Sequence, residues 1–161
     1  MIEVLVALTV VAFGMLGLAG MQARSISFNK DSFDRKVAAE MIEQLSERLR
    51  ANFDGFSTNQ YNFTMLAGDA PPALGACGDP LNCQPDELAD RDWAMWTADV
   101  RRYLPVSAAF LDTTGGGQQV LATITMAWQE GQAATADPTC ALAVPPITDP
   151  TYRCFSWTVR P

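Results

Sequence analysis

The chain has 161 residues, 18 acids against 11 Lys and Arg, a formal net charge of −7, and no histidine. That length allows one domain plus an accessory segment. Lacking histidine, it has no Ser-His-Asp triad, no His-ligated metal and no histidine pH switch. The acidic balance makes it a poor nonspecific binder of nucleic acid, which depends on neutralising phosphates.

Residues 4–23 contain no charge, and only Thr9 and Gln22 are polar. Twenty helical residues span about 30 Å, the thickness of a bilayer's hydrocarbon core. A secretory signal peptide would start basic and carry a shorter apolar run. Here an acid, Glu3, precedes the run and the first cation is Arg24. A buried core helix would be shorter and more mixed. A plain membrane anchor fits the length but does not explain Glu3, because an ionisable group at membrane depth is costly and tends to be functional.

The run Ile2-Glu3-Val4-Leu5-Val6-Ala7-Leu8, followed by Gly14-Met15-Leu16-Gly17-Leu18-Ala19-Gly20-Met21-Gln22, resembles the N-terminus of type IV pilin-like proteins, closest to minor pilins of the PilV type. The resemblance places Met1 at the family's third mature residue and Glu3 at its glutamate. The cleavage glycine and two further mature residues would precede Met1. The resemblance implies an α+β fold, a long N-terminal helix packed on a small antiparallel sheet. It implies a minor pilin that primes assembly of a type IV pilus and joins a tip complex. Its partners would be other minor pilins, the major pilin, a tip adhesin and the inner-membrane assembly platform, with membrane lipid before assembly. The location implied is the inner membrane with a periplasmic head, then the extracellular pilus. A minor pseudopilin of type II secretion shares the same N-terminal pattern. An adhesive or DNA-uptake pilin is a third reading, which the acidic head disfavours apart from the pair Arg101-Arg102. A membrane-anchored enzyme is the remaining class; no catalysis, cofactor or metal is expected.

Glu3 carries the most chemistry. A carboxylate buried among apolar helices demands a partner, and the resemblance supplies one, the N-terminal amine of a neighbouring subunit. A helix-dipole interaction near lipid headgroups is the simpler reading. Gly14, Gly17 and Gly20 descend the helix in steps of three. Small residues permit close helix–helix approach in membranes, weaken the helix, or are a plain excess of glycine.

Three segments are expected: an apolar helix over 1–23, an amphipathic stem over 24–54 and an α+β head over 55–161. In the stem Phe33, Val37, Met41, Leu45 and Leu49 recur every four residues, with Ala38 and Ile42 beside them. Such a stripe winds slowly round a 3.6-residue helix. Residues 25–32 are weak helix formers that invite a bend. Gly55 is placed to cap the helix C-terminus. Residues 56–85 are rich in turn chemistry, including Gly68 to Pro72 and Gly78-Asp79-Pro80, and Phe56, Tyr61, Phe63, Met65 and Leu66 are available to pack on the stem.

A second helix is expected from Pro85 to a stop at Pro105, with Ala89, Trp93, Trp96, Val100 and Tyr103 on one core face. Asp86, Glu87, Asp90 and Asp92 lack the D-x-D-x-D-G spacing of a calcium loop and read as a solvated face. The last third reads as strands over 106–112, 120–128 and 152–160. Val120, Ala122, Ile124, Met126 and Trp128 share one face, as do Phe155, Trp157 and Val159. Gly115-Gly116-Gly117 lacks the Lys and Ser/Thr of a phosphate loop and reads as a hairpin turn. Residues 131–150 are a long Pro-containing connection.

Four cysteines permit three pairings. Cys77–Cys83 with Cys140–Cys154 is favoured, because each bridge closes a loop with little else to order it. Neither spacing suits zinc or a redox C-x-x-C pair. The cysteines and the pilin-like start point the head outward, against the weaker signal of basic residues following the span.

Overall fold

The computed structural model describes residues 2–70, 72–74, 77, 82–104, 106–115, 119–130, 135–143 and 145–160. Met1, Pro71, the Gly78-Asp79-Pro80 turn, Pro105, Gly116-Gly117 and Gly131 lie outside them. The protein is α+β. One long helix, α1 (Ile2–Ala51), comes first, and the remaining elements build a four-stranded antiparallel sheet with two further helices. The chain divides into two compact units, residues 1–35 and 36–161.

The first unit is helix alone. Residues 25–32, weak helix formers with an expected tendency to bend or fray, are helical without interruption in α1. The Ser32 hydroxyl is satisfied inside the helix, donating to the Phe28 carbonyl at 2.9 Å.

The second unit is the head. It contains the end of α1, a short helix α2 (Phe53–Ser57), β1 (Phe63–Met65), α3 (Pro85–Tyr103), β2 (Ser107–Thr114), β3 (Leu121–Gln129), a 3₁₀ turn (Pro138–Leu142) and β4 (Tyr152–Val159). The strands lie in the order β1-β2-β3-β4, every neighbouring pair antiparallel. Period-2 alternation gives this sheet two different faces. Ala109 and Leu111 of β2 and Ala122, Ile124, Met126 and Trp128 of β3 enter the main core with Val37, Met41, Leu45 and Leu49 of α1 and Trp93, Trp96 and Val100 of α3. Trp96 is fully buried, and its indole N–H donates to the Met41 carbonyl at 2.7 Å, tying α3 to α1. Burying each large side chain of this kind contributes about 1.5–3 kcal/mol. The opposite face carries a smaller cluster of Ala108, Phe110, Ala127, Cys140, Ala143 and Cys154 under the 3₁₀ turn.

Several sequence expectations need correction. Phe33 is 57% exposed, because it precedes the head unit that begins at Lys36 and has no core to enter. Tyr103 is 49% exposed and Leu104 is buried in its place. Leu66 is exposed too, while Phe56, Tyr61 and Met65 are buried as expected. Gly55 does not cap α1. It lies inside α2, whose N-cap is Asn52. Glycine is required there by close packing, since a Cβ would sit 2.7 Å from the Pro85 carbonyl oxygen. Asp92 is not solvated: it accepts from Tyr61 and Arg48. Strand β1 was hidden among turn residues. Gly115, by contrast, fits the expected hairpin turn, with φ at +103° directly after β2.

Helix α3 starts where Pro and acids predicted. Gln84 and Glu87 form a capping box, the Gln84 backbone N–H donating to the Glu87 carboxylate at 3.1 Å.

Candidate assembly surface

The candidate site is the apolar half of α1. Its most apolar 18-residue window has mean hydropathy 2.3, and none of it is buried. Every residue from 2 to 30 is exposed, including Leu5, Leu8, Phe13, Leu16 and Leu18. A surface helix normally hides one apolar stripe; a helix apolar on all sides belongs in lipid or inside a bundle. An exposed patch of this size marks a membrane or protein contact. The helix is long and apolar enough to cross a membrane.

Details of the run preserve that apolar surface. The Thr9 hydroxyl donates to the Val6 carbonyl at 2.8 Å, so its polar group is satisfied within the helix. Glu3 sits in the first turn, where the positive end of the helix dipole favours an acid. Gly14, Gly17 and Gly20 fall within about a third of the helix circumference, given a turn of 3.6 residues. A Cβ built on any of them would meet nothing within 4 Å. Their smallness is therefore not required by packing inside this chain, and it leaves backbone open to a neighbour. The first buried residue of α1 is Asp34, 8% exposed, whose carboxyl is pushed above the usual range by burial, with Lys30 opposing and Asp31 adding to the rise.

The cysteines belong to the head and do not join Glu3 or the glycines in one constellation. Both favoured bridges form, Cys77–Cys83 with Cα atoms 5.5 Å apart and Cys140–Cys154 at 5.1 Å. The second is held by Asp137, whose carboxylate accepts from the amides of Thr139 at 2.9 Å and Cys154 at 3.2 Å. Burial works to raise the Asp137 carboxyl, but these amides outweigh it and hold the group below the usual carboxylate range. No group of three His, Cys, Asp or Glu able to hold a metal exists among the described residues.

Sequence reasoning missed the polar network that locks the end of α1 to α3. The Asn52 side-chain amide donates to the Tyr61 hydroxyl at 3.0 Å and the Pro85 carbonyl at 2.7 Å. Tyr61 donates to Asp92 at 2.8 Å, and Arg48 reaches Asp92 at 3.3 Å. Burial, then the Asp92 charge, pushes the Tyr61 hydroxyl pKa strongly upward, so it remains a donor. These partners are 9 to 44 residues apart in sequence, and no local pattern announces them. Arg101 is likewise engaged, by the Leu66 and Asp69 carbonyls and the Met65 sulfur, all neutral acceptors that hold its guanidinium in place and leave its charge.

No protein-family model, curated protein or solved structure matches this chain.

Proposed function

We propose that the chain is a PilV-type minor pilin, a non-catalytic subunit that primes type IV pilus assembly and joins a tip complex. The observation that carries this reading is the fully exposed apolar half of α1, with Glu3 at its mouth and three glycines open to a neighbour. A permanent anchor needs only the apolar length. An acid in the first turn and unfilled glycines suit a helix that leaves lipid and packs against other helices. Two disulfides in the head fit an oxidising compartment. In this reading the head waits in the periplasm of a Gram-negative cell, and Glu3 pairs with the N-terminal amine of a neighbouring subunit as the helix enters the filament.

Deletion of the gene tests the reading. Loss of surface pili, with pili restored when retraction is also disabled, is the expected result. Lost protein secretion with normal pili would reassign the chain to a type II pseudopilus, and intact pili and secretion would overturn both. The encoded residues before Met1 give a second check: a short basic leader ending in Gly-Phe-Ser/Thr is expected.

A further inference from the structure

The head's sheet is left unfinished at β4. Helices α1 and α3 cover β1 to β3, but on the helix-facing side of β4 Trp157 stays 55% exposed and Phe155 and Val159 are only partly covered. Between these three residues and Ile42, Glu43 and Ser46 of α1 lies a groove of about 340 Å³.

The groove adjoins a sheet edge, because among the described residues β4 pairs with β3 alone. Antiparallel strands alternate, each residue turning its N–H and C=O either to its partner or away from it. The phase is fixed at two points. Thr151 accepts from the Glu130 amide across the β3 side, whereas the Cys154 amide turns outward to Asp137. Ser156 and Thr158 therefore turn their amides and carbonyls outward as well. Among the described residues nothing bonds to these groups from outside the sheet. One end of the edge is thus capped by Asp137, and a short window beside the groove is open.

We propose that this window accepts a fifth strand, an extended segment of another protein that alternates aliphatic residues with polar ones and carries a Lys or Arg. Its backbone would pair with Ser156 and Thr158, and its aliphatic side chains would enter the groove beside Trp157. A helix would leave the outward amides and carbonyls unpaired. The basic residue follows from charge. Glu47 is bonded to Arg50, but Glu43, exposed on the groove wall, has no ion pair among the described residues. Arg50, which also lines the groove, neutralises Glu47, so a second copy pairing through its own β4 would bring a second unpaired Glu43 to the same groove, and each copy carries a net charge of −7. The inference concerns the head and stands whether or not the chain enters a filament.

The test uses the full chain in detergent micelles and a peptide of valine alternating with threonine and ending in lysine. Amide hydrogen exchange at Ser156 and Thr158 is expected to slow by about tenfold or more. Glu43→Lys, an exposed change, is expected to abolish that protection and to restore it with the peptide ending in glutamate. Trp157→Lys is expected to abolish protection while exchange in β2 and β3 stays unchanged, which establishes that the fold is intact. Unchanged exchange at Ser156 and Thr158 would overturn the proposal. So would equal protection of the wild type by the glutamate peptide, or self-association of the chain through β4 without peptide binding.

Discussion

Helix α1 uses apolar residues in two opposite ways. From Ile2 to Lys30 every side chain is exposed, while between Val37 and Leu49 one winding face is buried in the head's core. Apolar content alone does not separate these lengths; arrangement does. Apolar residues on all sides can be satisfied only by lipid or by other helices. A single stripe, with Glu40, Glu43 and Glu47 on the other side, is satisfied by the chain's own sheet and by α3. One half therefore serves the fold, and the other serves whatever surrounds the helix.

Paired truncations of one buried and one exposed leucine carry the largest expected effect. Leu45 is fully buried, and Leu45→Ala is expected to cost the head about 2–5 kcal/mol. Leu16→Ala, at a position 68% exposed, is expected to leave head stability unchanged. All four tryptophans lie in the head, so their fluorescence during denaturant unfolding in micelles reports that unit alone. Equal losses from the two substitutions would contradict the division of labour.

Removing the Cys140–Cys154 bridge with paired serines is expected to destabilise the same unfolding transition by about 3 kcal/mol, by loop-entropy reckoning. The exposed helix half should not sense it, so its helicity by circular dichroism should persist when the head unfolds. Asn52→Ala strips hydrogen bonds from the Tyr61 hydroxyl and the Pro85 carbonyl where α1 meets α2, and is expected to cost about 1–3 kcal/mol. Asp137 gives the smallest effect, and one with a sign. Its carboxyl is held down in the folded state, so its contribution is fully present above the ordinary carboxylate range and is lost as pH falls through the folded value. Acid titration of head stability should show this loss in the wild type and a diminished loss in Asp137→Asn.

The sequence was most legible where physics is local. The exposed apolar length follows from composition, α3 from Pro85, its acids and its aromatic spacing, and β3 and β4 from strict alternation. The disulfide pairing followed from short loops. It was least legible where distant residues decide. Phe33 continues the spacing of Val37 and Met41, but only the start of the head unit at Lys36 sets where burial begins. Asp92 looked like its neighbours Asp86 and Asp90 until Tyr61 and Arg48 were brought to it. Gly55 carried the signal of a helix cap, whereas the approach of the Pro85 carbonyl fixes it as glycine. In the candidate site, Glu3 and the glycines were all visible in the sequence, because residues 2–30 are exposed and their meaning is set by local composition.

In the proposed function the exposed half of α1 leaves lipid for a bundle of other subunits, with Glu3 selecting that arrangement. Fractionation of cells expressing Glu3→Ala, with immunoblots of membranes and of sheared filaments, tests it most directly. Wild-type amounts of the variant are expected in the membrane, and none above background in the filaments. Wild-type incorporation of Glu3→Ala into filaments would contradict it.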